Sequence, residues 1–279
     1  GFPSAPVNHG AVESKMDQTY RRFISRLPNA RVTVSAGRPW EEILRTSRRS
    51  RADLIVMGPH TDPEPPAGPD ENSGRIGSTV QGVVARENCP VMIVNDSITG
   101  FQTEFKKILV GIDFSMASEC ALCFSARISR TMGATVYPLF MIPVAPYPKF
   151  TREQHETNQK AQARKLSDFC DFYIEDSAHE YIVQSGMFPG REIVKWACRL
   201  GADLIMLGSH TRFAKGKWYA GSVVEEVGST APCPVVVVND PDALQPWEDL
   251  QPFVSEKRSA ADRSIHLFDP EDGRPVPTA

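Results

Sequence analysis

The chain has 279 residues, 41% of them apolar and 23% charged, with a formal net charge of -3. That length suggests two domains of ordinary size, each able to bury its own core, and the balanced charge gives no reason to expect nucleic acid or an anionic membrane as a partner. No apolar run approaches the roughly 20 residues of a membrane span and residues 1–10 lack the regions of a signal peptide, so a cytoplasmic protein is expected.

In chain order, Met16, Tyr20, Phe23, Ile24 and Leu27 recur at helical spacing and predict an amphipathic helix over Met16 to Leu27. Val32 and Val34 alternate as a short strand within Ala30 to Ser35, and Pro39-Trp40-Glu41-Glu42 opens a second helix with proline and acids in its first turn. Asp53 to Met57 is a continuous apolar run, the pattern of a strand covered on both faces. Gly77-Ser78 starts a helix through Val83-Val84, and Cys89-Pro90-Val91-Met92-Ile93-Val94 supplies a closing strand.

A fresh unit opens at Ile108 to Asp113 as a strand. A helix follows from Ala117 to Met132, with Ser115 as N-cap and Gly133 as terminator. A strand over Thr135 to Ile142, a long helix near Thr151 to Phe172, a strand at Glu180 to Gln184 and a helix over Arg191 to Leu200 lead to the apolar strand Asp203 to Leu207. The unit closes with Cys233-Pro234-Val235-Val236-Val237-Val238. Alternating strands and helices with right-handed crossovers predict α/β architecture with doubly wound parallel sheets. Beyond Asp240 apolar density falls and a polar tail is expected, with a docked segment around Trp247 or Phe253 as an alternative.

The two halves repeat. Ala52-Asp53-Leu54-Ile55, Gly58, His60 and Thr61 match Ala202-Asp203-Leu204-Ile205, Gly208, His210 and Thr211 at one constant offset, while Gly77-Ser78, Cys89-Pro90-Val91 and Asn95-Asp96 match Gly221-Ser222, Cys233-Pro234-Val235 and Asn239-Asp240 at a smaller one. The change marks an insertion at Asp62 to Ile76. The first copy has nothing matching Ile108 to Ile142, so it lacks its opening strand, helix and strand. The expected division is 1–100 for an incomplete first domain, 101–240 for a complete second domain and 241–279 for the tail.

A strand that enters a glycine turn and then meets Gly-Ser at a helix start collects backbone amides around an anion, which marks Gly208 to Ser222 as a phosphate site. The strand Ile108 to Asp113, the block Ala202 to His210, Gly221-Ser222 and the terminal Pro-Val-Val-Val-Val resemble the universal stress protein family, over about Met16 to Asn239. The resemblance implies tandem Rossmann-like, adenine nucleotide alpha hydrolase-like domains acting in stress response. ATP-binding members carry Gly, two residues, Gly, nine residues, then Gly and Ser or Thr. Here Gly208, Ser209, His210, Thr211, the stretch Arg212 to Ala220 and then Gly221 and Ser222 keep the spacing, with Thr211 in place of a glycine. ATP or another adenine nucleotide is therefore the cofactor implied for the second domain, its base and ribose framed by Asp113 and Met141. The first copy lacks a counterpart of Asp113, and no nucleotide is expected there.

Alternatives stay open beside this reading. A β-branched Thr211 in a left-handed conformation weakens phosphate binding by roughly ten-fold, whereas in an ordinary conformation its hydroxyl donates to phosphate. Gly208 and Gly221 also suit plain turns and helix packing. His60 and His210 stand without an acid or nucleophile nearby and read as surface or hydrogen-bonding residues, and Lys215 and Lys217 either screen phosphate or are solvated. Gly216-Lys217 lacks the upstream glycine of a P-loop, and Gly111 stands alone after its strand, without a dinucleotide fingerprint. The C-x-x-C pair Cys120 and Cys123 lies inside a helix and reads as packed thiols. No enzyme is indicated beyond slow ATP hydrolysis as a third idea. The rival function is a nucleotide-free interaction module whose closing strands pair within the chain, with a homodimer expected.

Overall fold

Helices form where apolar residues recur with a helical period and strands where they run on unbroken, and the principal strands all join one sheet. The computed structural model describes residues 9–27, 29–59, 76–95, 104–143, 151–209, 212–214, 217–219 and 221–239. The first half comprises α1 (His9–Ile24), α2 (Pro39–Ser50), β1 (Ile55–Met57), α3 (Ser78–Val84) and β2 (Val91–Ile93). The second comprises β3 (Lys107–Ile112), α4 (Met116–Met132), β4 (Thr135–Pro143), α5 (Arg152–Ile174), β5 (Ile182–Gly186), α6 (Pro189–Leu200) and β6 (Leu204–Ser209), then a hairpin of β7 (Arg212–Ala214) and β8 (Lys217–Tyr219), and finally α7 (Ser222–Thr230) and β9 (Val235–Asn239). The polar tail expected beyond Asp240, with its alternative of a docked segment near Trp247 or Phe253, lies outside the described residues.

The seven-stranded sheet has the order β1-β2-β9-β6-β3-β4-β5. Every neighbouring pair is parallel except β2 and β9, the closing strands of the two repeats, which run antiparallel with Val91 opposite Val237, Met92 opposite Val236 and Ile93 opposite Val235. Val91 and Ile93 are the counterparts of Val235 and Val237, so this register is that of a local two-fold axis at the Met92–Val236 pair. Apolar side chains from α2, α3, α6 and α7, among them Leu44, Val83, Ile193 and Val227, bury one face. Leu122 of α4 with Leu166 and Ile174 of α5 cover the other.

Two sequence expectations fail for one reason. Residues 30–36 form no strand. Their counterpart in the second copy is β5, which takes its ladder from β4; among the described residues the first copy has no counterpart of β4, so Val32 and Val34 have no strand to pair with, and the Val34 N–H donates instead to Glu13 Oε1 at 3.3 Å. The run Asp53 to Met57 is also not covered on both faces. β1 is an edge strand with Val56 57% and Leu54 37% exposed, whereas their counterparts Met206 and Leu204 are wholly buried. In the second copy β3 pairs along β6 and α4 packs over it, and among the described residues the first copy has no counterpart of either element. The first helix also differs in extent from the expectation, beginning at His9 rather than Met16.

Candidate functional site

β3 is the switch point of the sheet: β4 and β5 lie on one side of it, β6 and β9 on the other. In open α/β sheets the crevice for ligands opens at the carboxyl ends of the strands at such a point. A cleft of about 220 Å³ lies there, lined by Gly111, Ile112 and Asp113 from the end of β3, Leu139 and Met141 from β4, Leu207 and Gly208 from β6, Pro189 and Ile193 from α6, Ser118 from α4, and Gly221, Ser222, Val223 and Val224 at the start of α7. Its floor is apolar, and its polar groups come from Asp113, Ser118 and the α7 N-terminus.

Five of the predicted residues, Asp113, Met141, Gly208, Gly221 and Ser222, therefore share one cleft. Ser209 does not line it. Its side chain is 3% exposed, beside Asn239 in register, and its Oγ has no hydrogen-bond partner among the described residues. His210, Thr211, Lys215 and His60 lie outside the described residues, as does the side chain of Lys217.

At the α7 end, Gly221 is the N-cap and no side-chain cap bonds to the first turn. A helix start without a capping side chain leaves amide donors and the positive end of the helix dipole for an anion. Gly208 has a different duty. A Cβ built there would stand 2.3 Å from the main-chain carbon of Ala117 and 2.4 Å from the nitrogen of Ser118. Its bare backbone lets α4 dock on the end of β6, a packing role that requires glycine there.

At the α4 end, Asp113 is exposed and its Oδ1 accepts from the main-chain N–H of Ser115 at 3.1 Å and from the Ser115 hydroxyl at 2.5 Å. The Ser115 Oγ in turn accepts from Ser118 N–H and caps α4. Between them Phe114 has φ 61, in the left-handed region. A bulky aromatic residue held there costs on the order of 1–3 kcal/mol and needs surrounding structure to hold it. That structure is aromatic: the Phe114 ring lies 4.6 Å from Phe140 and 5.4 Å edge-on to Phe169, with Lys165 Nζ 4.2 Å above its centre.

Sequence reasoning missed Ser118, which lines the cleft, the apolar floor residues such as Leu139, Ile193 and Leu207, and Phe114, which stands behind the cleft against the core. Ser118 was legible as a second hydroxyl in the first turn after an Asp-Phe-Ser cap. Phe114 had no signal, because the usual mark of a left-handed residue is glycine.

The cysteines stand apart from this chemistry. None of the six is in a disulfide, and among the described residues no group of His, Cys, Asp or Glu is arranged to hold a metal. Burial, followed by the Glu119 carboxylate, pushes the Cys123 thiol up to about 12, and burial pushes Cys233 to about 12 as well. No described helix is long and apolar enough to cross a membrane.

The sequence profile of the universal stress protein family matches residues 7–95 and 104–239. A universal stress protein of Methanocaldococcus jannaschii is 28% identical over 160 residues, covering 53% of this chain and 91% of its own. One from Mycolicibacterium smegmatis is 27% identical over 167 residues, covering 58% of this chain and 55% of its own, so the match spans about half the length of that relative. Among solved structures, a universal stress protein from Archaeoglobus fulgidus superposes with a TM-score of 0.57 at 18% identity, over 85% of this chain and 84% of that one, a likeness of fold.

Proposed function

This chain belongs to the universal stress protein family, and we propose that it acts in stress response by binding an adenine nucleotide, ATP first among them, in the cleft of its second repeat. The family supports the stress-response role. The observation that carries the nucleotide reading is that Asp113 and the uncapped start of α7 at Gly221-Ser222 line the same cleft, with an apolar floor between them.

The residues fit such a ligand. The amides of the first turn of α7 suit a phosphate group, Met141 and Leu139 suit the face of a base, and the Asp113 carboxylate, steadied through Oδ1 by Ser115, suits a polar edge of the nucleoside. Binding rather than turnover is the proposed activity. We take residues 1–100 and 101–240 as the two units of the chain, and we expect a cytoplasmic homodimer, which would sediment at twice 30.9 kDa.

Native mass spectrometry of the purified protein, with and without added ATP, tests the reading. A nucleotide mass adduct that disappears in Gly221→Val, with the circular dichroism unchanged, supports it; an adduct that persists in Gly221→Val moves the ligand elsewhere. A nucleotide-free interaction module is the second reading, and the observation in its favour is the tight docking of Ala117 on Gly208, which accounts for that glycine without a ligand.

A further inference from the structure

We infer that Phe114 is a positioning residue, the centre of an aromatic clasp that sets the nucleoside end of the cleft by holding Asp113 and Met141 at a fixed separation. This rests on the nucleotide reading above and adds the device that makes the site selective for a nucleoside rather than for phosphate alone.

Phe114 directly follows Asp113, and Phe140 directly precedes Met141. In the register of β3 and β4, Ile112 stands opposite Phe140, so the two cleft residues sit on neighbouring strand ends and the two rings meet behind them, at 4.6 Å. Phe114 and Phe140 pack against the core under α4 and α5, while Asp113 and Met141 line the cleft. Phe169 of α5 closes the clasp against the Phe114 ring. The left-handed turn at Phe114 reverses the chain between Asp113 and the α4 cap, and the ring contacts are what hold that turn. Loss of the ring frees the turn, and with it the carboxylate.

The test measures affinity for ATP and for inorganic tripolyphosphate by titration calorimetry in the wild type and in Phe114→Ala, Phe114→Gly, Phe114→Tyr and Phe140→Leu. Gly relaxes the left-handed backbone but removes the ring, so it separates strain from clasping. The expected result is an ATP affinity lower by about ten-fold or more in both Ala and Gly, the order expected when one charge-assisted hydrogen bond is lost. Tripolyphosphate affinity is expected to be unchanged, and Tyr to bind as the wild type does. Phe140→Leu, which thins the same contact from the other strand, is expected to fall in the same direction and keeps the test open where Phe114 variants fold poorly. Wild-type ATP affinity in Phe114→Gly, or equal losses for ATP and tripolyphosphate, overturns the clasp while leaving the nucleotide reading intact. A wild type that binds no ATP overturns that reading and this inference with it.

Discussion

Asn239 donates from its side-chain amide to the main-chain carbonyl of Glu87 at 2.9 Å, across the seam where β2 and β9 meet. The same amide also reaches the carbonyl of Val84. Asn95, the repeat counterpart of Asn239, donates in the opposite direction to the carbonyl of Ala231 at 3.1 Å, and Ala231 is the counterpart of Glu87. Two reciprocal amide clamps therefore flank the antiparallel strand pair. Both asparagines are buried, Asn239 at 3% and Asn95 at 7% exposure, so each carbonyl would be left without that donor away from water.

Asn239→Ala is expected to lower the unfolding free energy by about 1–3 kcal/mol, because it strips a donor from two carbonyls. Asn95→Ala, which strips one, is expected to cost less. Urea unfolding of the two variants checks the order, and equal or negligible losses would count against the clamps.

Gly208→Ala is expected to destabilise by about 1–3 kcal/mol or more, since the added methyl meets main-chain atoms of Ala117 and Ser118 that cannot turn aside. Thermal unfolding reads the effect. A variant as stable as the wild type would mean that α4 shifts freely on β6.

Val56 and Met206 occupy matching positions but differ in exposure, 57% against 0%. Val56→Thr is expected to change stability by under about 0.5 kcal/mol, as exposed substitutions usually do, whereas Met206→Thr opens a cavity and buries a hydroxyl at a cost of about 2–5 kcal/mol. Chemical denaturation of the pair distinguishes them, and a large loss at Val56 would mean that its face is covered in solution.

The raised thiols predict an alkaline decline in stability. Below the ordinary thiol value of 9.0 folded and unfolded chains both keep these protons; above it the unfolded thiols release protons that folded Cys123 and Cys233 retain toward about 12. The unfolding free energy therefore falls as pH rises through that window. Melting temperatures between pH 8 and 10.5 are expected to drop less steeply in Cys123→Ala/Cys233→Ala than in the wild type, and parallel slopes would contradict the shift.

Much of this architecture was legible in the chain, because the repeat of Ala-Asp-Leu-Ile and Cys-Pro-Val fixes strand identity and Ser115 and Gly133 mark the ends of α4. Expectations failed where an element depends on a neighbour distant in sequence. Val32 and Val34 have strand-like alternation, yet a strand needs a ladder, and the described residues of the first copy hold no counterpart of the neighbour that serves β5. Val56 has the same apolar character as a buried residue but lacks the helix that would cover it. Within the cleft, Gly208, Gly221 and Ser222 were readable from motif spacing, and Asp113 and Met141 only from what the family resemblance implies. The turn at Phe114 was not, since its own residue type does not mark a left-handed conformation and the rings it packs against, Phe140 and Phe169, are distant in sequence.

Titration calorimetry of the purified wild type with Mg-ATP, up to millimolar nucleotide, tests the central claim most directly. Saturable binding of one nucleotide per chain, lost in Gly221→Val, is the predicted result. Absence of any binding heat at millimolar ATP, with no displacement of a nucleotide already bound, would contradict it and leave the interaction module as the function of this fold.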